Sequence, residues 1–274
     1  MIKLFFLAIF WIGIVLPVAG NESIRIVGSS TLLPLVSEAA KLYRQSHPDL
    51  EILLSGGGSG VGIAAVLQGS ADLGMTSRQP TAEEQAQLET KAKLLPIAYD
   101  GVAVAVSEAV INHGVKALSL PQIAAIYRGQ IRNWKQLGGP DARILVIDKE
   151  AGRGTRHVFA NAVLGNPHAR APGAVIVTGS NNEEQAIIAR SDQAIGMLSH
   201  AWLTDRVRGL AILVNGVAIT PAAENIRNGR YPIRRKLNLI VPIDHSPVVG
   251  DFIAFLLSGP GQALVEQVGY IPIR

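Results

Sequence analysis

Short β-branched runs alternate with helical stretches along almost the whole chain, and this alternation limits the folds open to it more than any other feature. Ile24–Val27 leads into a helical stretch from Leu32 to about Ser46, which His47-Pro48 stops. Ile52–Leu54 precedes a helix running through Val66, and Leu73–Met75 reads as a third strand. Further strands fall at Ile144–Ile147, Ala174–Val177, Ile195–Leu198, Leu210–Val214 and Leu237–Val241. Helices are expected over Thr155–Leu164, from a Ser180 cap to Arg190, and over Val248–Leu257 and Gly261–Val268. Thr81 with Glu84, and Ser119 with Gln122, have the spacing of capping boxes. The pattern predicts α/β layers with largely parallel sheets and shows no internal repeat.

Composition narrows the setting. Lys3 is the only charge before an apolar run from Leu4 to Leu16, and Val18-Ala19-Gly20 supplies small residues beyond it. That is the grammar of a secretory signal peptide over residues 1–20, too short to span a bilayer, which takes about 20 apolar residues. The mature chain is then expected to begin at Asn21 and to lie free in the periplasm. The sequence holds no cysteine, which excludes disulfides, thiol catalysis and a lipidated cysteine anchor. With 48% hydrophobic and 17% charged residues, the chain can bury a sizeable core. A net charge of +4 suits an anionic partner, but the basic residues are scattered. Aromatics make up 5% and do not interleave with the basic residues, which argues against nucleic acid.

Three turns share one design, in which a strand end meets small and hydroxyl residues and then a helix start. They are Gly28-Ser29-Ser30-Thr31, Gly56-Gly57-Gly58-Ser59-Gly60 and Gly152-Arg153-Gly154-Thr155. A helix N-terminus has unpaired N–H groups and the positive end of the macrodipole, so it attracts anions. Glycine lets the backbone approach closely, and hydroxyls add donors. A plainer reading makes each Ser or Thr an N-cap, which such turns commonly carry. Recurrence of the design, with five small residues in a row at Gly56–Gly60, favours a shared anion cradle. Nucleotide and nucleophile motifs fail: there is no P-loop lysine and no Gly-x-Ser-x-Gly elbow. A relaxed dinucleotide match at Gly60, Gly62 and Ala65 falls inside the expected helix. The six histidines are dispersed without metal-ligand spacing, and no metal or cofactor is expected.

At these same residues the sequence resembles the phosphate-binding proteins of bacterial phosphate ABC transporters. The resemblance runs from Val27–Thr31 through Ser55–Gly60 and Ala71–Arg78. It continues through Ile131–Pro140, Gly152–Arg156 with Phe159, and Ala194-Ile195-Gly196. It implies a two-lobed periplasmic-binding-protein fold of type II, α/β in each lobe, with two crossover strands and a ligand cleft between the lobes. Lobe one would take residues 21–99 and 232–274, and lobe two residues 100–231. The implied contacts to phosphate are Ser30, Thr31, Ser59, Ser77, Lys149, Arg153, Gly154 and Thr155, with Gly60 and Arg78 beside them. Three positions depart from the family pattern. Ser77 stands where many members have a proton-accepting aspartate, Lys149 where they have arginine, and Arg153 where they have the serine of Gly-Ser-Gly-Thr. Asp72, Asp100 or Asp148 could take over the acceptor role.

The resemblance implies a monomeric, non-enzymatic receptor that passes phosphate or a similar oxyanion to a membrane permease. A sensor or adhesion module on the same fold is the alternative, and an extracellular phosphate-ester hydrolase is a further one that no nucleophile–base motif supports. The leader gives the first prediction. Intact-mass measurement of exported protein should place its first residue at Asn21 with no lipid attached; a membrane fraction retaining residues 1–20 would contradict it.

Overall fold

The computed structural model describes residues 22–273. The expected leader and the cleavage before Asn21 lie outside the described residues. The first half holds β1 (Ser23–Gly28), α1 (Leu33–Tyr43), β2 (Glu51–Ser55), α2 (Ser59–Leu67), β3 (Leu73–Thr76) and α3 (Ala82–Leu88). A 16-residue strand, β4 (Ala92–Ser107), leads out of it. There follow α4 (Glu108–Asn112), β5 (Ala117–Ser119), α5 (Leu120–Tyr127), β6 (Leu145–Lys149), α6 (Gly154–Leu164) and β7 (Ile176–Thr178). Next come α7 (Asn181–Ala189), β8 (Ala194–Ser199), β9 (Val207–Gly209), β10 (Ala211–Val214), β11 (Val217–Ile219) and α8 (Ala223–Arg227). The chain returns through β12 (Arg234–Pro242) to α9 (Pro247–Leu257) and α10 (Gly259–Gln267). Both expected capping boxes form, at Thr81/Glu84 and at Ser119/Gln122, and Ser180 caps α7.

One sheet runs β2-β1-β3-β12-β4-β8-β6-β7, with β9 also on β4, and β11-β10-β5 form a smaller one. The pairs that flank each half, β1–β2, β1–β3, β6–β7 and β6–β8, are parallel, as strand–helix alternation requires. The expectation of largely parallel sheets is corrected at the centre. There β4 and β12 pair antiparallel with each other and with β3 and β8, because one strand leaves the first half and the other returns to it.

The alternation pattern missed β4. Pro96 and the Asp100-Gly101 pair look like turn signals within a strand run. In the fold, the register between β12 and β4 slips between Leu237 and Asn238, opposite Ala98 and Pro96, so the proline sits at a bulge. At ~3.3 Å per residue, 16 residues reach about 50 Å, enough to cross from one half into the other.

Buried apolar side chains sort into two main cores. One gathers Ile24, Leu35, Met75, Ile97, Leu237, Phe252 and Tyr270, and the other Val102, Tyr127, Trp134, Phe159, Ile195 and Ile233. Along β4 the change of core falls between Ala98 and Val102, and on the returning chain between Ile233, just before β12, and Leu237 within it. The result is a two-lobed α/β fold whose lobes are joined through the middle of these two strands, with Ile271 of the C-terminal segment bridged to Tyr99 beside them and packed into the second core. Among the described residues no single helix is long and apolar enough to cross a membrane. The bent α9–α10 pair packs into the first core.

One close approach sets the position of a key turn. A Cβ on Gly62 would stand 2.6 Å from the Met75 carbonyl oxygen and 2.9 Å from that of Val27. Without it, α2 lies directly on the backbones of β1 and β3, and its first residue, Ser59, comes to the ends of both strands.

Candidate binding site

None of the three helices that follow the Gly-rich turns takes a side-chain cap from its turn. The N-cap residues of α1, α2 and α6 are Leu32, Gly58 and Arg153, and none makes a side-chain cap hydrogen bond. The plainer reading of the turns therefore fails, and their hydroxyls are directed elsewhere. Ser29 and Thr31 after β1, Ser59 at the start of α2, Ser77 after β3 and Thr155 at the start of α6 are all buried. They converge on one point. Ser29 Oγ donates to Ser77 Oγ at 2.9 Å, and Ser59 Oγ and Ser77 Oγ lie 3.3 Å apart. Ser77 N–H donates to Ser59 Oγ at 3.0 Å.

Across the lobes, Thr31 Oγ1 lies 3.3 Å from Thr155 Oγ1 and accepts from Asn181 Nδ2 at 3.2 Å. Gly154 fits against this group because a Cβ there would collide with the hydroxyls of Ser59 and Ser77. The N-termini of α2, α6 and α7 thus meet around a patch of neutral donors. The Tyr270 hydroxyl donates to the Thr31 carbonyl and pins the first turn from the C-terminal end.

Charge reaches the cluster from β12. Arg235, buried at the crossover, stands directly opposite Asp100 of β4 in the sheet register. Its Nε and Nη2 donate to Asp100 Oδ2 at 2.8 and 2.6 Å. The remaining N–H groups turn to the cluster: Nη1 to Thr155 Oγ1 at 3.0 Å and to the Ser77 carbonyl at 3.3 Å, and Nη2 to Thr31 Oγ1 at 3.4 Å. Asp100 Oδ1 accepts from Ser199 Oγ and approaches His200 Nδ1, both at 2.7 Å. Burial works to raise the Asp100 carboxyl, but Arg235, His200 and Ser199 outweigh it and hold its pKa below the usual aspartate range.

Of the residues expected from sequence, Thr31, Ser59, Ser77, Gly154 and Thr155 come together here. The others do not point into the cluster. Ser30 is half-buried and lines an open groove with Gly56, Gly57, Arg153 and Trp202. Gly60 donates its N–H to the Gly152 carbonyl across the cleft at 3.2 Å. Arg78 makes a bidentate pair with Glu84, at 2.6 and 2.7 Å. Lys149 is buried against Glu184 and donates to the Ser180 carbonyl. Burial pushes the Glu184 carboxyl up, with Lys149 pulling against it. Arg153 is held by Glu150 through Nε and Nη2. Asp148, one of the alternative acceptors, pairs with Arg156, and Asp72 accepts from the Arg25 main chain.

Sequence reasoning missed Ser29, Asn181 and Arg235. Strand alternation gives no signal for Ser29, since it is in phase with the exposed Ser23 and Arg25 of β1 and is buried only by the turn that follows Gly28. Arg235 gave no signal, because Arg234-Arg235-Lys236 reads as a solvated charge run; only the strand period buries the middle residue and exposes its neighbours.

Comparison with known proteins agrees with the two-lobed fold. A family model for the PBP superfamily domain matches residues 17–260. The phosphate-binding protein PstS of Bacillus subtilis is 33% identical over 255 residues, covering 92% of this chain and 81% of that protein. A Clostridium perfringens structure solved with bound phosphate superposes with a TM-score of 0.85 at 30% identity, covering 92% of this chain and all of that one. An ABC-type phosphate transport receptor from Vibrio cholerae gives a TM-score of 0.73 at 31% identity, covering 90% and 99% of the two chains.

The Asp100–Arg235 pair supports a stability prediction. Asp100→Asn leaves the guanidinium buried and half-paired, and should cost about 3–5 kcal/mol near neutral pH. A carboxyl with a depressed folded pKa contributes in full above its unfolded value of about 3.9, and loses that contribution as pH falls through the lower folded value. Urea unfolding should therefore show the difference intact from pH 5 to 8 and shrinking below about pH 4. No loss at neutral pH would mean the pair does not hold the crossover.

Proposed function

The chain belongs to the PBP superfamily and, within it, to the phosphate-binding proteins, and on that premise we propose that it captures inorganic phosphate between its lobes for the membrane permease of an ABC transporter. The observation that carries this reading is the convergence of five buried hydroxyls with Arg235, none of them spent on capping a helix. Tetrahedral oxyanions take hydrogen bonds from all sides, and donors drawn from both lobes surround such a ligand only when the lobes close on it. The role is that of a receptor: it binds and releases and carries out no chemistry. The lobes in this reading are residues 21–99 with 232–274, and 100–231, and the working form is a monomer in the periplasm.

The direct contacts are Thr31, Ser59, Ser77, Gly154 and Thr155, together with Ser29, Asn181 and Arg235. Arg235 is the cation of the site. Asp100 takes two of its N–H groups, and the others face the cluster, so the guanidinium meets the anion in a fixed orientation. Helix N-termini and neutral hydroxyls supply the rest. Arg78, Lys149 and Arg153 act at the edges, each beside an acid that offsets its charge.

Thr155→Ala and Ser59→Ala should each weaken phosphate binding by about 1.5–3 kcal/mol, the range for a hydrogen bond to a charged group. Calorimetric titration checks this, and unchanged affinity in both variants places the site elsewhere.

Selectivity follows from the acceptors. Monohydrogen phosphate carries a proton that sulfate lacks, and a free carboxylate in the site would welcome the first and repel the second. Here both Asp100 oxygens are already occupied, and Ser77, which can donate or accept, stands in the cluster. Discrimination against sulfate should accordingly be weaker than in aspartate-containing relatives, and Ser77→Asp should strengthen it. Competition titrations on the two proteins decide the point; strong phosphate preference in the wild type, unmoved by the substitution, would show that another group reads the proton.

A further inference from the structure

Arg153 begins α6 with a positive charge where the helix dipole is already positive, an arrangement that needs a neighbouring anion. Glu150 supplies it, accepting from Arg153 Nε at 2.9 Å and from Nη2 at 2.6 Å. The ion pair lies at the outer rim of the cleft, where Glu150 is largely exposed. With its head held there, the stem of Arg153 crosses to the other lobe. A Cβ built on Gly58 would stand 2.9 Å from Arg153 Cδ and 3.5 Å from its Nε. On its second side the guanidinium covers Gly179, whose Cβ would lie 3.3 Å from Nη2. Close by, Gly60 N–H donates to the Gly152 carbonyl at 3.2 Å, a backbone bond between the same two turns. Gly58 has φ +97°, so glycine there serves both the backbone conformation and the close passage of the arginine.

We infer that Arg153 is a latch between the lobes that sets how long the closed cleft holds its ligand, and not a contact to the ligand itself. The inference rests on the receptor reading for its function and on the side-chain geometry for its mechanism. The working part is the aliphatic stem laid over Gly58, an amphipathic use of arginine in which the charge stays near water. Glu150 keeps the head turned away from the hydroxyl cluster and fixes the stem across the cleft. A ligand role and a latch role therefore differ in what each needs: the first needs the charge, the second needs the stem.

The test compares Arg153→Met, which keeps an apolar stem and loses the charge, with Arg153→Ser, which loses both. Phosphate affinity and release are measured by titration and stopped flow. Interlobe distance is measured without ligand by spin labels at Gln87→Cys and Arg170→Cys, the only thiols in a chain that has no cysteine. For a latch, Arg153→Ser should release phosphate ~3- to 10-fold faster, the scale of one or two buried methylenes, with little change in the binding rate. Its labels should shift toward longer distances. Arg153→Met should stay within about 2-fold of the wild type in both measurements, since the thioether chain refills the same space. If Arg153→Met loses affinity as severely as Arg153→Ser, the charge is what matters and the latch is overturned. It is equally overturned if Arg153→Ser alters neither release nor distance. Failure of the wild type to bind phosphate would sink the receptor reading alone, because the label distances still report whether Arg153 holds the lobes together.

Discussion

The Arg235–Asp100 pair is the interaction on which the rest of the cleft depends. The two residues face each other on β12 and β4, at the point where both strands pass from one core to the other. A buried ion pair of this kind adds little net stability over a well-packed apolar pair, because desolvation consumes most of the attraction. Its effect is geometric. Asp100 is itself fixed by Ser199 and His200, so the guanidinium cannot rotate, and its remaining donors point at Thr155, Thr31 and the Ser77 carbonyl. Loss of either partner would strand a charge in the one layer both lobes share.

With that pair formed, the cleft is nearly neutral. Arg78, Lys149, Arg153 and Arg156 each stand beside a carboxylate, as Arg235 does. The basic residues around the cleft are therefore paired, and an anion would be held by hydroxyls and helix N-termini rather than by a pool of cations. Such donors suit a receptor that must also release its ligand: short-range hydrogen bonds from two lobes vanish together when the lobes part, whereas an unscreened charge would keep attracting the anion over several ångströms.

The two lobes carry different burdens in this arrangement. The first presents rigid turns, because Gly62 brings α2 onto the β1 and β3 backbones and Tyr270 pins the turn at Thr31. The second contributes Gly154, Thr155 and Asn181 from helix starts, with Arg153 reaching back across the rim. The contacts that join the lobes in the cleft are polar, while Ile271 and Ala201 add apolar ones beside the crossover strands. That leaves lobe motion governed by the middle of β4 and β12 and by the side chains that meet in the cleft.

Much of this was legible in the sequence by itself. Strand–helix alternation dictated α/β lobes, the two capping boxes formed as spaced, and the Gly-rich turns did mark where hydroxyls collect, because each of those signals is local. The central strands were not legible, since the bulge that absorbs Pro96 exists only when β12 lies alongside. Nor were the site's charges. The family resemblance grouped Lys149, Arg153 and Arg78 with the ligand, but their partners Glu184, Glu150 and Glu84 turn them aside in the fold. Arg235, 80 residues from Thr155 and 158 from Ser77, enters the cluster only through strand pairing. Which charge meets which is a property of long-range packing, and local pattern carries no trace of it.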